Sequence, residues 1–421
     1  MNLIKLIEQI LQSNSRGDLT TARSCIKNLK IFPHYPIILI GGTNGKGSVS
    51  NYISNILTTA GFKTGCFTSP HVFRYNERIT INNQAINDED LIKHLNIIIT
   101  NLQQSNLPQL GLFQLFTLAC HQYFIENNID IAVIEVGIGG KLDITNLFEP
   151  TVSGITSISL DHMDILGHNI EEIALQKAYI YRSQKPAFFG GNNPPQAMID
   201  FCKQNNINLQ YFEQDFKIHR NELSFDVILR NKTYYAIPYP LQRSELQPIN
   251  IALSIAILDS ISSKFPVTTS QIKTGILKTN LIGRFQLLPG LPQIILDVAH
   301  NLEAVTAMLS NMIKLPFVRQ KYAVFGIAAD KDIIAIIKSA AHYFDKWFIG
   351  KINNERSRDT ESIKQILLDN KVHSSNIFEF DNIDNACEHA YKQLNKQDRM
   401  VCFGSFLVVE SCYNKIQELR K

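Results

Sequence analysis

A run of apolar residues at 36–40, PIILI, passes directly into GGTNGKGS at 41–48 and then into VSNYISNILTTA, where apolar residues recur at helical spacing. No other stretch limits the fold as much. A strand that enters a helix through so many glycines forms one strand–turn–helix unit, with a turn backbone that few other residues could follow. Gly41, Gly42, Gly45 and Gly47 let successive N–H groups face one anion, and the helix N-terminus adds its partial positive charge. Asn44, Gly45, Lys46, Gly47 and Ser48 are therefore expected to hold a nucleoside triphosphate, with Lys46 at the outer phosphates and Ser48 on Mg²⁺. The spacing departs from the general GxxxxGK[ST]: position 40 is Ile, and Gly47 separates Lys46 from Ser48. A Gly-rich turn without a ligand is the plainer alternative. The strand before, the helix after and Lys46 in place argue against it.

The same alternation continues along the chain. Strand-like runs at 36–40, 63–67, 129–136 and 152–158 accompany helical patterns at 48–60, 88–102, 113–126 and 170–182, which predicts an α/β fold with a mostly parallel sheet. IDIAVIEV at 129–136 is nearly all apolar, as a strand covered on both faces must be. Residues 207–240 alternate in the strand manner between turn residues and predict a small antiparallel insertion; 250–262 returns to helix. LLPGLP at 287–292 is punctuated like a linker or turn. Beyond it QIILDVA, KYAVFGI, DKWFIG and DRMVCFGS alternate with helices again. We expect two domains, 1–286 and 287–421.

Composition narrows the class. Lys plus Arg number 41 and Asp plus Glu 38, a balance that excludes a dedicated nucleic-acid or membrane-surface protein. With 45% hydrophobic residues the chain is not intrinsically disordered. Seven cysteines without a C-x-x-C pair, in mostly apolar stretches, read as buried thiols in a reducing cytoplasm. The N-terminus reads as an amphipathic helix, and no run approaches the roughly 18 apolar residues of a membrane span.

GTNGKGS in this form resembles the ATP-dependent amide ligases of the Mur ligase superfamily. TSPHVFRYNERI (68–79), EVGIGGKLDITN (135–146), LDHMDILG (160–167), GRFQ (283–286), LDVAHN (296–301), DKD (330–332) and GSFLVVE (404–410) are similar, in order, to motifs of the folylpolyglutamate synthase and dihydrofolate synthase family. The resemblance implies a P-loop ATP-binding domain and a smaller Rossmann-like domain. It implies a cytoplasmic enzyme, expected to be a monomer, that joins L-glutamate to dihydropteroate, to reduced folates, or to both, through an acyl phosphate. A cell-wall Mur ligase acting on a UDP-linked peptide, and a non-catalytic nucleotide-binding module, are the alternatives.

Joining a carboxylate to an amine requires activating the acid, and charge gathers between γ-phosphate and carboxylate as it happens. Ligands for Mg²⁺ are thus expected at strand ends beside the loop. Glu135 interrupts an apolar strand just before a Gly-rich turn, where it is either a ligand or a salt-bridged strand-end carboxylate. His162 lies beyond 152–158; a lone histidine there serves structure as readily as metal. The resemblance makes Ser69, Glu135 and His162 magnesium ligands beside Ser48 of the loop, and implies two Mg²⁺ ions. Lys177, in QKAYI, would ordinarily be a solvated helix lysine. The family's EKAGI lysine is carbamylated by CO₂, so the resemblance gives Lys177 a metal-binding carbamate and, with Lys46, Glu135 and His162, a catalytic role; Gln176 and Tyr179 replace the family's Glu and Gly. The resemblance also implies ATP binding by Asn250, Arg284, Asp297 and His300. Arg284 suits polyphosphate, although a surface salt bridge would explain GRFQ alone. On the folate side it implies Asp18, Leu19 and Thr20, Phe113 and Gln114, and Leu142, Asp143 and Ile144. Thr20 replaces a Gly, Gln114 a Glu and Lys141 an Arg. Phe113 could stack on a pterin or pack in its helix.

Overall fold

The structure is a computed structural model that describes residues 2–13, 17–242 and 244–420. The chain forms two compact units, Met1–Tyr239 with Pro248–Thr279, and Pro240–Gln247 with Asn280–Lys421.

The first unit is built on a sheet of eight strands: β1 Ile37–Gly41, β2 Thr64–Phe67, β3 Ile79–Ile81, β4 Gln84–Ala85, β5 Ile131–Glu135, β6 Val152–Ile155, β7 Ala187–Phe189 and β8 Leu209–Tyr211, in the order β4-β3-β2-β5-β1-β6-β7-β8. From β2 to β8 in that order neighbours run parallel, and the β3–β4 hairpin adds an antiparallel edge. β1 is buried along its whole length and lies between β5 and β6. The chain leaves β1 toward β2 on one side and later returns to β6 on the other. That reversal makes the carboxyl ends of β5, β1 and β6 the crevice of the sheet.

Helices cover both faces. Leu3–Gln12 turns Leu3, Leu6, Ile7 and Ile10 into the core, as an amphipathic helix should. Thr269–Lys278 packs closely on Lys46–Thr59: a side chain at Gly275 would begin 2.6 Å from the Cα of Ile56. The antiparallel insertion is narrower than the alternation predicts. It comprises β9 Phe216–Arg220, β10 Ser224–Leu229 and β11 Thr233–Pro238, whereas Leu209–Tyr211 pairs parallel with β7 and belongs to the main sheet. A strand of three residues is too short for its periodicity to reveal which sheet it joins.

The second unit has six strands: β12 Gln286–Leu288, β13 Gln293–Leu296, β14 Lys321–Phe325, β15 Lys346–Gly350, β16 Ile377–Phe380 and β17 Arg399–Phe403, in the order β12-β13-β17-β14-β15-β16. All pairs are parallel except β12–β13. The LLPGLP segment is therefore the turn of a hairpin inside this unit. Trp347, Phe325, Phe344 and Phe403 form an aromatic centre, with ring centroids 5.0–6.1 Å apart. All seven cysteines are buried and free. The sulfurs of Cys387, Cys402 and Cys412 lie within 4.8 Å of one another, packed as small apolar groups. Among the described residues no helix is long and apolar enough to cross a membrane.

Candidate active site

The glycine loop joins β1 to the helix Lys46–Thr59. Two glycines are required by geometry. Gly45 caps the helix at φ 88°, in the left-handed region. Gly42, at φ 137°, lies so close to β6 that a side chain would begin 1.9 Å from the Thr156 hydroxyl. The residues after β6 lace onto the loop. Thr43 N–H donates to Ser157 O (2.8 Å), Asn44 N–H to Ser157 Oγ (3.1 Å), and the Thr156 hydroxyl to Asn44 O (2.6 Å). Ser159 N–H donates to Thr43 Oγ1 at 3.1 Å. Sequence reading missed Thr156, Ser157 and Ser159; the only signal was a run of hydroxyl residues beyond a strand.

Glu135 ends β5 and is 3% exposed. Its carboxylate accepts from Ser69 N–H (3.1 Å), and a side chain at Gly47 would begin 3.4 Å from its Oε2. Ser69, Glu135 and the start of the loop helix are thus brought together. The Ser48 hydroxyl, on the first turn of that helix, is buried without a hydrogen-bond partner among the described residues. An orphaned buried hydroxyl is costly. With a buried carboxylate close to it, the donor set fits a hard divalent cation. His162 follows β6 at φ 50°, a left-handed conformation that is strained for a non-glycine residue. Its Nε2 lies 4.0 Å from Asp161 Oδ2.

Lys46 and Lys177 converge on the same carbonyl. Lys46 Nζ donates to Gly42 O and Thr43 O, both at 3.1 Å, and Lys177 Nζ donates to Gly42 O at 2.9 Å. Lys177 is 4% exposed rather than solvated. Burial, and next the Lys46 charge, lower its pKa to about 7; Asp161 and Asp143 act against that. Its helix, Ile170–Ala178, packs on the turn after β5, where a side chain at Gly140 would begin 2.8 Å from Gln176 O. The departures at 141, 176 and 179 adjoin one another: Lys141 N–H donates to Gln176 O (3.0 Å) and its ammonium lies 4.5 Å above the Tyr179 ring. A lysine on an aromatic face there replaces the arginine–glycine pair of the resembling motifs.

The remaining predicted residues fall into three groups. Asn250 touches the loop, its Oδ1 2.8 Å from where a side chain at Gly45 would begin. Near Glu135, Phe113 and Asp143 flank Gly137, and Phe113 lies 5.6 Å from Phe67 between ring centroids. Gly17 N–H donates to Gln109 O, and the helix Leu19–Asn28 packs on the short helix Ile144–Leu147, so the segments around 18–20, 109–114 and 137–144 adjoin. Several of these side chains serve the fold. Asp18 caps its helix by accepting from Thr20 and Thr21 N–H. Gln114 Oε1 accepts Gly111 N–H at 2.9 Å, a capping bond that glutamate would make equally. Asp143 accepts from Gly137, Ile138 and Thr145 N–H and the Thr145 hydroxyl, while burial raises its pKa. Ile144 is buried; Leu142 and Thr20 are exposed, and Leu19 is half-buried.

In the second unit Arg284 and His300 lie beside Phe406, with Asp297 near both of their charges. The Arg284 guanidinium lies 4.9 Å from that ring's centroid and the His300 ring 6.4 Å from it. Asp297 accepts from Phe285 N–H (3.0 Å) and Ala299 N–H (2.9 Å). Burial pushes its pKa up to about 6 against the pull of Arg284.

Residues 40–288 match the Mur ligase middle domain, and residues 283–406 the glutamate ligase domain of Mur ligases. The dihydrofolate synthase/folylpolyglutamate synthase of Buchnera aphidicola subsp. Schizaphis graminum is 32% identical over 383 residues, 91% of this chain and 87% of that protein. The chain belongs to this family of Mur ligases. Escherichia coli FolC in complex with DHPP and ADP superposes with a TM-score of 0.92 at 28% identity, covering 100% of this chain and 99% of that one. A bifunctional folylpolyglutamate synthase/dihydrofolate synthase with Mn, AMPPNP and L-glutamate bound gives 0.90 at 27% identity, over 99% and 98% of the two chains. The α/β fold with two mostly parallel sheets agrees with the family.

Proposed function

We propose that this protein is an ATP-dependent ligase that forms an amide between the amine of L-glutamate and the carboxylate of dihydropteroate, of reduced folates, or of both. The observation that carries the reading is the burial of Glu135 and the orphaned Ser48 hydroxyl at the start of the glycine-loop helix. Such a donor set is expensive unless charge is handled there.

Asn44 to Ser48 and Asn250 bind ATP in the first unit. Lys46 exchanges its carbonyl partners for phosphate oxygens, a charge-assisted bond being the stronger. Arg284, Asp297 and His300 are read as the ATP-binding set of the second unit. Ser48, Ser69, Glu135 and His162 would hold Mg²⁺, which supplies neutralisation of charge during phosphoryl transfer. An acid oxygen attacks the γ-phosphorus and ADP leaves. The glutamate amine then attacks the acyl carbon and phosphate leaves with that oxygen, the amine losing its proton. Lys177, as a carbamate, would help hold a second Mg²⁺. Only a neutral amine adds CO₂, and a lysine lowered to about 7 is substantially neutral near pH 7. Asp18–Thr20, Phe113–Gln114 and Leu142–Ile144 form the folate side, with Asp18, Gln114 and Asp143 acting by shaping backbone. Domains of 1–286 and 287–421, a monomer and a cytoplasmic location complete the reading.

The test is phosphate release with Mg²⁺-ATP and L-glutamate, comparing 7,8-dihydropteroate with a reduced folate. Turnover with either acid is expected, and turnover with both makes the enzyme bifunctional. ATP binding without acid-dependent release would overturn the reading.

A further inference from the structure

The segment between β2 and β3 is braced along its length and ends in Arg78, a cation in no ion pair among the described residues. The Glu77 carboxylate accepts N–H bonds from Val72 (2.9 Å), Phe73 (3.1 Å) and Arg74 (2.8 Å), folding the segment on itself. Asn76 Nδ2 donates to Ile86 O (2.8 Å) and Asp88 Oδ1 (2.9 Å). One end is tied to the site by the Ser69–Glu135 bond, and the other by Thr68 N–H donating to Arg78 O at 3.0 Å.

The Arg78 side chain is held as firmly as its backbone. Nε donates to His71 Nδ1 at 3.0 Å. Arginine keeps its proton, so His71 accepts through a bare Nδ1 and carries its hydrogen on Nε2. The guanidinium carbon lies 5.7 Å from the Tyr75 ring centroid and 5.5 Å from that of Phe116. The His71 ring in turn lies against Tyr75, centroids 4.2 Å apart and planes tilted by 46°. Three aromatic rings therefore position a guanidinium whose terminal nitrogens have no hydrogen-bond or ion-pair partner among the described residues. Glu135 is near enough to act on its charge. A structural arginine in such a setting ordinarily meets a carboxylate or several carbonyls. One fixed at a single nitrogen, with its fork left over, is preorganised for a planar anion.

We propose that Arg78 binds the carboxylate of the aromatic acid that is to be activated, and that His71 is the positioning residue that aims the guanidinium. The proposal rests on the ligase reading above. The half-buried ring of Tyr75 suits a benzoate ring next to the carboxylate better than it suits a zwitterionic amino acid, while Phe116, fully buried, backs the guanidinium.

The experiment uses the full chain in wild-type, Arg78→Met, Arg78→Lys, His71→Leu and His71→Asn forms. Two quantities are measured: KM for dihydropteroate, L-glutamate and ATP from phosphate release, and equilibrium binding of dihydropteroate to protein loaded with Mg²⁺ and a non-hydrolysable ATP analogue. Arg78→Met is expected to weaken dihydropteroate about 10- to 100-fold in both, with KM for ATP and L-glutamate changed about twofold or less. Arg78→Lys should fall between, and it carries the test if Arg78→Met does not fold. His71→Leu should weaken the same substrate by less, and His71→Asn, which keeps an acceptor, should restore part of the loss. Unchanged dihydropteroate affinity in a folded Arg78 variant overturns the proposal while leaving the ligase reading standing. A shift in KM for L-glutamate alone assigns the guanidinium to the amino acid's carboxylate and overturns it too. A wild type that turns over a reduced folate but neither binds nor uses dihydropteroate overturns this proposal and leaves the ligase reading standing; turnover of neither acid ends both.

Discussion

At the carboxyl ends of β1, β5 and β6 the first unit buries Ser48, Glu135, Asp143 and Lys177, whereas the interior of the second unit, around β14, β15 and β17, buries Phe325, Trp347, Phe403 and three thiols. Both regions are tightly enclosed, but their energetics have opposite sign. Apolar burial in the second unit stabilises the fold, on the order of 1.5–3 kcal/mol for each large side chain. The polar groups of the first unit cost stability unless every one is satisfied. Ser48 has a bare hydroxyl and Lys177 a pKa near 7, so this region is not built for stability. Substitutions in the two regions should therefore separate activity from folding.

The largest effect tests that separation from the polar side. Lys46→Ala should lower turnover about 1,000-fold or more while the thermal transition stays near wild type. A folded variant with near wild-type phosphate release would break the comparison. Trp347→Ala tests the apolar side. It should cost about 3–5 kcal/mol in denaturant unfolding, with kcat per folded molecule unchanged.

Lys177 sharpens the comparison through pH. Its folded pKa of about 7 lies below the ordinary 10.5, so between those values the unfolded chain binds more protons. Stability should therefore rise with pH across that window, by up to about 1.4 kcal/mol per pH unit. Below pH 7 the penalty is complete. In CO₂-free, metal-free buffer Lys177→Met should abolish the slope and be more stable than wild type at pH 6. Parallel pH profiles for the two proteins would mean that the lysine is not buried as a free amine.

The smallest effect concerns Gln114. Replacing it with Ala removes the acceptor for Gly111 N–H and should cost about 1 kcal/mol. Gln114→Glu keeps the acceptor and should change stability by no more than about 0.5 kcal/mol.

How far these regions could be read in the sequence follows from the range of the interactions involved. The glycine loop, Glu135 and the strands beside them are local signals: a run of glycines, a carboxylate inside an apolar run, a period of side chains. The family motifs carried His162 and Lys177, which by residue type alone are ordinary. The hydroxyls of Thr156, Ser157 and Ser159 bind a loop more than 110 residues earlier, and nothing local marks them. The same holds for Lys141 and Tyr179, two departures from motif that prove to be one contact. Gln114 read as a missing carboxylate, but its carbonyl makes the capping bond that the position requires. Arg78 stood in a quoted motif without a role, because only the fold brings His71, Tyr75 and Phe116 around it.

Activation of the acid by phosphoryl transfer at the glycine loop can be followed with dihydropteroate labelled with ¹⁸O in both carboxylate oxygens, turned over with Mg²⁺-ATP and L-glutamate. An acyl phosphate places one labelled oxygen in each phosphate released, and Lys46→Ala should abolish that transfer. Turnover that releases unlabelled phosphate would contradict the account.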